Sequence, residues 1–531
     1  MRRRAALVLL LFGVLPALAC NLPFSAVENS PGISAPDVAD AVQKTLDAMM
    51  QATPGEFGEP EVIIATATFD PEAGLPTPLP PLPIVTVNAP TAVPTLDENT
   101  FRYYTQPGDT PLGLARRFGV EVEQIPNPGN IPAQMLLPAG QELALPNTLR
   151  SGAMPEPGAL LPDAEIVYSP AAVDFSVEEY IRQAGGFLNT YSEPSDSEVL
   201  SGAQIIQRVA DETSINPRLL LAVLEYRSNW VLGNPADAGS QQYPIGFYAG
   251  NYTGLYKEMI LVARQLTIGY YGWRTGNVTS LEFASGGTQR IHPTVNAGTA
   301  AVQYLFSKLY NPADWRQQLY SPPRFIAFYA SMFGDPWQRA ARSGPMLPYG
   351  LAQPDLELPF PTGQTWTLTG GPHVAWGVGS AWGGLDFAPA GVEPGCGVSR
   401  FWATAAAAGQ IVRAGNGVVV VDLDGDGFEQ TGWAMLYLHI AKEGRAPVGK
   451  QLKVDDAIGH PSCEGGASTG THLHVARKYN GEWVEADGPA PFILSGWTAK
   501  AGDRQYAGSL VKDGQTVTSR IEGARTSIIT R

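Results

Sequence analysis

The run Gly470-Thr471-His472-Leu473-His474 governs the reading of this chain. On a strand, residues two apart point to the same face, so His472 and His474 would bring two imidazoles to one site. All six histidines lie beyond residue 290, and five fall between 373 and 474, so they form a regional cluster rather than a scatter. Two further motifs precede the pair. Tyr437-Leu438-His439 is one, and Gly370-Gly371-Pro372-His373 is the other, followed after a Gly/Trp-rich loop by Gly384-Leu385-Asp386. From residue 362 onward the text consists of short β-like runs with Gly-rich turns, among them Ile411-Val412, Gly417 to Val421 and Trp433 to His439. A catalytic zinc takes three protein ligands from His, Asp, Glu or Cys and keeps a fourth position for water. His373, Asp386 and one histidine of the pair supply that set, which leaves the other histidines for proton transfer. Tyr437 is a possible assistant. His460, in Gly459-His460-Pro461, reads as structural, and His292, before Pro293, as incidental.

With these motifs in order, residues 362–495 resemble the lysostaphin and β-lytic metallopeptidase family, zinc endopeptidases that cut peptidoglycan cross-bridges. The larger lysostaphin branch places its first histidine four residues before the aspartate. Here that position is Trp382, which cannot bind zinc. The β-lytic branch places it farther upstream in a Gly-x-His context, and Gly371-Pro372-His373 fits that pattern. The resemblance implies His373, Asp386 and His474 as metal ligands. It implies His439 and His472 as the residues that activate water and stabilise the oxyanion.

Working outward, residues 160–345 read as helical. Apolar residues recur at helical spacing over Gly202–Glu212, Pro217–Tyr226, Leu255–Gly269 and Ala297–Leu309, with Pro217 in a first turn. Ser214 to Trp230 resembles the catalytic helix of lysozyme-like lytic transglycosylases, in which a glutamate directly precedes the serine. Arg227 stands there instead, and a permanently charged guanidinium cannot protonate a glycosidic oxygen. Glu225 lies two residues earlier, about 200° around a helix. The expectation is a lysozyme-like domain that has lost its chemistry and keeps a glycan groove.

Residues 101–148 carry Gln106-Pro107-Gly108-Asp109-Thr110, then Leu112, Leu114, Ala115 and Phe118, and close on Gly140 to Pro146. A strand, a turn and an amphipathic helix follow, capped by Asp109 or Thr110. This resembles the lysin motif, a small βααβ module that binds N-acetylglucosamine-containing glycans, although Pro111 and Pro126-Asn127-Pro128 depart from it and shorten the second helix. Residues 20–100 form a tether, with a short helix at 36–52 and a Pro-rich linker of polyproline II character. Residues 498–531 are read as a C-terminal extension. Asp422-Leu423-Asp424-Gly425-Asp426-Gly427 looks like the start of a calcium loop, but Trp433 replaces the bidentate Glu, and a plain turn explains it equally well.

At the N-terminus, Arg2 to Arg4, an apolar run from Ala5 to Leu18 and Ala17-Leu18-Ala19 make residues 1–19 an export signal. Cys20 follows directly and resembles a lipidated lipoprotein cysteine, which implies a membrane anchor in the cell envelope; ordinary secretion with an incidental cysteine is the alternative. The other two cysteines, Cys396 and Cys463, read as one disulfide of an exported domain. Lys plus Arg is 35 and Asp plus Glu is 50, a formal charge of −15, so nucleic acid is excluded as a partner for want of a basic face. The expected architecture is multi-domain α+β: a βααβ module, an all-α domain at 160–345 and an antiparallel β-rich peptidase domain at 362–497. The expected partner is peptidoglycan. Two rival functions remain: a non-catalytic envelope protein that activates other hydrolases, and a bifunctional hydrolase with a glycan-cleaving helical domain.

Overall fold

The computed structural model describes residues 100–531, apart from 128, 149–157, 196–197, 249, 251, 321–323, 390–394 and 522–523. The export signal, Cys20, the short helix at 36–52 and the Pro-rich linker lie outside the described residues. No helix among those described is long and apolar enough to cross a membrane.

Strands β1 (Thr100–Tyr104) and β2 (Glu142–Pro146) pair antiparallel, Thr100 opposite Pro146. Their inward residues Phe101, Tyr103, Leu143 and Leu145 pack on Leu114 and Phe118 of α1 (Pro111–Phe118). Thr110 is the cap, its Oγ1 accepting from the Gly113 N–H at 3.1 Å. Asp109 is instead buried against Arg117 and accepts the Tyr103 hydroxyl at 2.6 Å. The second helix is a single 3-10 turn, Val122–Gln124. Ile125 after it is extended, as a residue before proline prefers to be.

The helical domain is built around α2 (Gly202–Thr213), α3 (Pro217–Ser228), α4 (Leu255–Thr275), α5 (Ala297–Leu309) and α6 (Arg324–Phe333). Ser201 and Gln204 form a capping box on α2, and Asn216 caps α3 with Pro217 in its first turn. Helix α3 buries Leu219 to Leu224 on every side, so it is the central helix of this core.

The C-terminal region is an antiparallel sheet. Its strands are β3 (Thr365–His373), β4 (Gly384–Pro389), β5 (Gly409–Gly415), β6 (Val418–Asp422), β7 (Trp433–Leu438), β8 (Gln451–Leu452), β9 (Leu473–Tyr479) and β10 (Glu482–Trp483). The order across the sheet is β8-β5-β6-β7-β9-β4-β3, and Ile528–Thr530 pairs onto β3 beyond it. The segment after 497 is therefore part of this domain. Its strands Trp497–Ala501, Gly508–Lys512 and Gln515–Thr518 form a second small sheet, and its last strand extends the main one. A disulfide joins Cys396 to Cys463 across 67 residues of chain. Asp422 turns β6 toward β7 by accepting the backbone N–H groups of Asp424, Gly425 and Gly427.

Alternation along β6, β7 and β9 serves two cores. Val419, Val421, Met435, Tyr437, Leu473 and Val475 face the interior of the β-rich domain. Val418, Val420, Ala434, Leu436 and Ala476 face the other way and merge with the helical core. Polar groups seal this joint. Arg274 of α4, only 10% exposed, contacts Glu482 at 3.2 Å, Asp163 at 3.0 Å and the Tyr270 hydroxyl at 2.9 Å, and also donates to the Pro107 carbonyl. One guanidinium thus ties all three modules together. Glu429 holds both Arg413 at 2.5 Å and Lys478 at 2.9 Å, while Arg413 donates to the Asp211 carbonyl of α2. Replacing Arg274 by Met leaves the buried Glu482 without its cation and the half-buried Asp163 without its ion pair, which should cost about 3–5 kcal/mol. A lowered denaturation midpoint of the full chain is the expected readout.

Candidate metal centre

The sheet register assembles the histidines and the aspartate. His474 of β9 lies opposite Asp386 of β4, and His373 at the end of β3 lies opposite Gly384. Opposed residues share a face, so the ligand candidates come from three neighbouring strands. Strand β3 shifts register between Leu368 and Gly370 and again between Gly370 and His373. Such bulges re-aim side chains, and here they carry His373 over Asp386. His373 Nε2 is 3.0 Å from His474 Nδ1 and 3.3 Å from Asp386 Oδ1, and His474 Nδ1 is 3.0 Å from the same Oδ1. The three residues are 2%, 6% and 5% exposed for His373, Asp386 and His474, so water does not separate them.

What faces inward follows from what lies behind each ring. A carbonyl can only accept, so the nitrogen touching it must carry the proton. His373 Nδ1 meets the Gly371 carbonyl at 2.8 Å, and His474 Nε2 meets the Ala375 carbonyl at 3.0 Å. The opposite nitrogens, His373 Nε2 and His474 Nδ1, then face each other and the Asp386 carboxylate. Burial lowers the pKa of His474, which keeps it neutral. Burial raises that of Asp386, but the imidazoles of His373 and His472 and the hydrogen bonds around it outweigh burial. Its carboxyl is held well below the usual range and is ionised. Two imidazole nitrogens and a carboxylate oxygen thus converge at contact distance, an arrangement that a shared cation satisfies. Donors of a four-coordinate zinc with bonds of ~2.0–2.1 Å lie about 3.3 Å apart, so the residues fit such an ion.

Two more imidazoles flank the cluster. His439 Nδ1 meets the Glu464 carbonyl at 2.8 Å and His472 Nδ1 meets that of Gly470 at 2.7 Å, which frees both Nε2 atoms. The two rings are 4.4 Å apart, and His472 Nε2 is 3.8 Å from Asp386 Oδ1. His472 has the most exposed side chain of the group, at 18%. Burial, then the neighbouring His472, push the pKa of His439 down to about 3. His439 has φ 65°, a left-handed conformation uncommon for a non-glycine residue, at the end of β7. Tyr437 does not join the site. Strand alternation turns it into the β-rich core, where its hydroxyl accepts from the Ala406 N–H at 2.8 Å. His460 binds the Phe401 carbonyl and packs on Trp402, and His292 bonds Thr294 beside Phe101, all away from the cluster. One residue that motif reading passed over is Tyr506. Its ring stacks on His373 at 4.1 Å, while its backbone pairs with Gly371 and Pro372. It stands in a turn of the last segment and carries no motif of its own.

Residues 159–347 match the family described as "LasA, N-terminal domain". Protease LasA of Pseudomonas aeruginosa is 27% identical over 357 residues, 64% of this chain and 78% of that protein. A beta-lytic metalloendopeptidase of Achromobacter lyticus is 30% identical over 159 residues, 28% of this chain and 39% of that protein. Among solved structures, the metalloprotease pseudoalterin from the deep sea aligns at 24% identity and a TM-score of 0.28, covering 32% of this chain and 96% of its own. His373, Asp386 and His474 form a group able to hold a metal ion.

Two glycines make room for the cluster. A Cβ on Gly384 would come within 2.3 Å of His474 Cε1, and one on Gly370 within 2.4 Å of Asp386 Oδ2. Gly384→Ala should therefore tilt the His474 ring and weaken metal binding by about tenfold or more, the range seen when ligand orientation is lost. Competition against a chromophoric chelator measures it.

Proposed function

We propose that this chain is a cell-envelope zinc metalloendopeptidase that hydrolyses peptide bonds of peptidoglycan. The observation that carries the reading is the convergence of His373 Nε2, His474 Nδ1 and Asp386 Oδ1 at 3.0–3.3 Å. Those three residues would hold the ion, which when bound supplies Lewis-acid polarisation and a water of lowered pKa. The chain's own residues do the rest. The Gly371 and Ala375 carbonyls fix the ligand tautomers. His472, the most exposed of the group, takes or returns a proton through its free Nε2, and His439 would stabilise the negative charge that develops on the substrate carbonyl once its own Nε2 has taken up a proton. Peptidoglycan as substrate is supported by the sequence resemblance and by the named relatives, which are a protease and a metalloendopeptidase.

The upstream modules are read in the same frame. The unit at 101–148 is proposed to be a lysin-motif module that adds to wall attachment, and Cys20 to be a lipid anchor. The helical domain is proposed to be lysozyme-like without glycan chemistry. Two observations support that loss. Glu225 is 8% exposed and spends its Oε2 on the Val231 and Leu232 N–H groups at 2.7 and 2.9 Å. Arg227 is held by the Ile245 carbonyl and the Tyr310 hydroxyl.

Zymography of the purified chain on peptidoglycan, with and without chelator, tests the activity. Lysis abolished by chelator and restored by zinc is the expected result. Asp386→Ala and His474→Ala should lose both zinc and lysis, and His373→Ala should lose zinc as well. His439→Ala and His472→Ala should retain zinc and lose lysis by about 10²–10⁴-fold. Zinc retained in His373→Ala would overturn the ligand assignment. A wild-type chain that binds no zinc would favour the non-catalytic activator reading. Cleavage of glycan strands that disappears in Glu225→Gln would make the protein bifunctional.

A further inference from the structure

The carbonyl that orients His474 belongs to Ala375, in the loop 374–383 between β3 and β4. This loop holds three glycines, Gly377, Gly379 and Gly383, so its backbone has a wide choice of conformations in isolation. Its internal bonds are short-range. Ala375 N–H donates to the Ala381 carbonyl at 2.8 Å, Trp376 N–H to Ser380 Oγ at 3.0 Å, and Gly383 N–H to the Ala381 carbonyl at 2.8 Å. External support comes from both sides: the Trp382 carbonyl accepts the Ala486 N–H of the β-rich domain at 2.9 Å, and the helical domain packs on the rest of the loop. Ala375 and Ala381, 1% and 3% exposed, are buried in the core that the helices build, and Trp376 packs against it. Gly379, at φ +94°, lies directly on α4. A Cβ there would come within 2.5 Å of Ile268 Cγ1 and 2.9 Å of Ile268 N.

We infer that α4 is a positioning element of the metal centre: through Ile268 and the surface around it, the helical domain sets the loop whose Ala375 carbonyl fixes the His474 tautomer and ring angle. The inference rests on the zinc reading above. It goes beyond it by making part of the site's affinity a property of a domain that contributes no ligand. Ile268 touches neither substrate nor ion and acts through the loop.

The experiment uses the full chain. Zinc affinity is measured by chelator competition, and the visible spectrum of the cobalt-substituted protein reports ligand geometry. Ile268→Ala should weaken zinc binding by about tenfold or more, in line with the loss of an outer-shell partner, and should shift the cobalt bands. Gly379→Val, which wedges the same contact from the loop side, should do the same, and Ile268→Val should stay close to wild type. Leu305→Ala, in the buried core of α5, is the control for stability alone; it should lower the melting temperature and leave zinc affinity and cobalt bands unmoved. Equal losses of affinity in Ile268→Ala and Leu305→Ala would overturn the inference, because the effect would then be global. So would a site that is lost in His474→Ala yet unchanged in both Ile268→Ala and Gly379→Val, and in that case the zinc reading would stand. A wild-type chain that binds no zinc overturns both.

Discussion

The structure turns on the crowding of three ligand-type atoms at one point. Two imidazole nitrogens and one carboxylate oxygen approach within 3.0–3.3 Å, and backbone carbonyls behind the rings accept the N–H groups of the opposite ring nitrogens. Holding such a group together costs free energy in the absence of a cation, so the surroundings must enforce it. They do so with bulges in β3, with glycines at 370 and 384 that leave space for the ligands, and with a disulfide-braced rim. A sheet is a good frame for this purpose. Its register couples residues distant in sequence, as it does Asp386 and His474, with little freedom to slip.

The frame also explains the unusual relation between the domains. The face of β9 that carries His474 continues two residues later to Ala476, which is already part of the helical core. The candidate metal ligands and the domain joint share one surface. The joint is a continuous apolar layer sealed by buried ions, with Arg274 against Glu482 and Asp163, and Glu429 between Arg413 and Lys478. Buried charges of this kind contribute little net stability but penalise any arrangement that leaves one of them alone. The relative placement of the domains is thereby specified more sharply than apolar contact would specify it.

Much of this was legible in the amino acids. Helices α2 to α5 follow the apolar spacing that marks them, and Pro217 begins its helix where its missing N–H costs nothing. The histidines and Asp386 announce themselves by type and order. Less legible was whatever depended on which way a strand faces. Tyr437 precedes His439 by two residues and looks like a companion, yet the irregular backbone at His439 breaks the alternation, and the tyrosine ends in the core. Asp109 looks like a helix cap, but its pairing with Arg117 depends on burial that no local pattern reveals. The last segment was harder still. The pairing of Ile528–Thr530 with β3 and the stacking of Tyr506 on His373 join residues more than 130 positions apart, with neither motif nor periodicity to signal them.

The bridge between Cys396 and Cys463 has a consequence for when the site can exist. On one side it holds the stretch whose Gly395 and Gly397 grip Thr471, the neighbour of His472. On the other it adjoins Ser462, whose N–H and hydroxyl both hold the His439 carbonyl. A single covalent bond therefore steadies both imidazoles that are not ligands. Thiols in a reducing compartment stay apart, so the reduced chain has these two histidines on unbraced loops. In an oxidising one they are clamped. The geometry of the rim is thus conditional on redox state, complete where the bridge can form and open where it cannot.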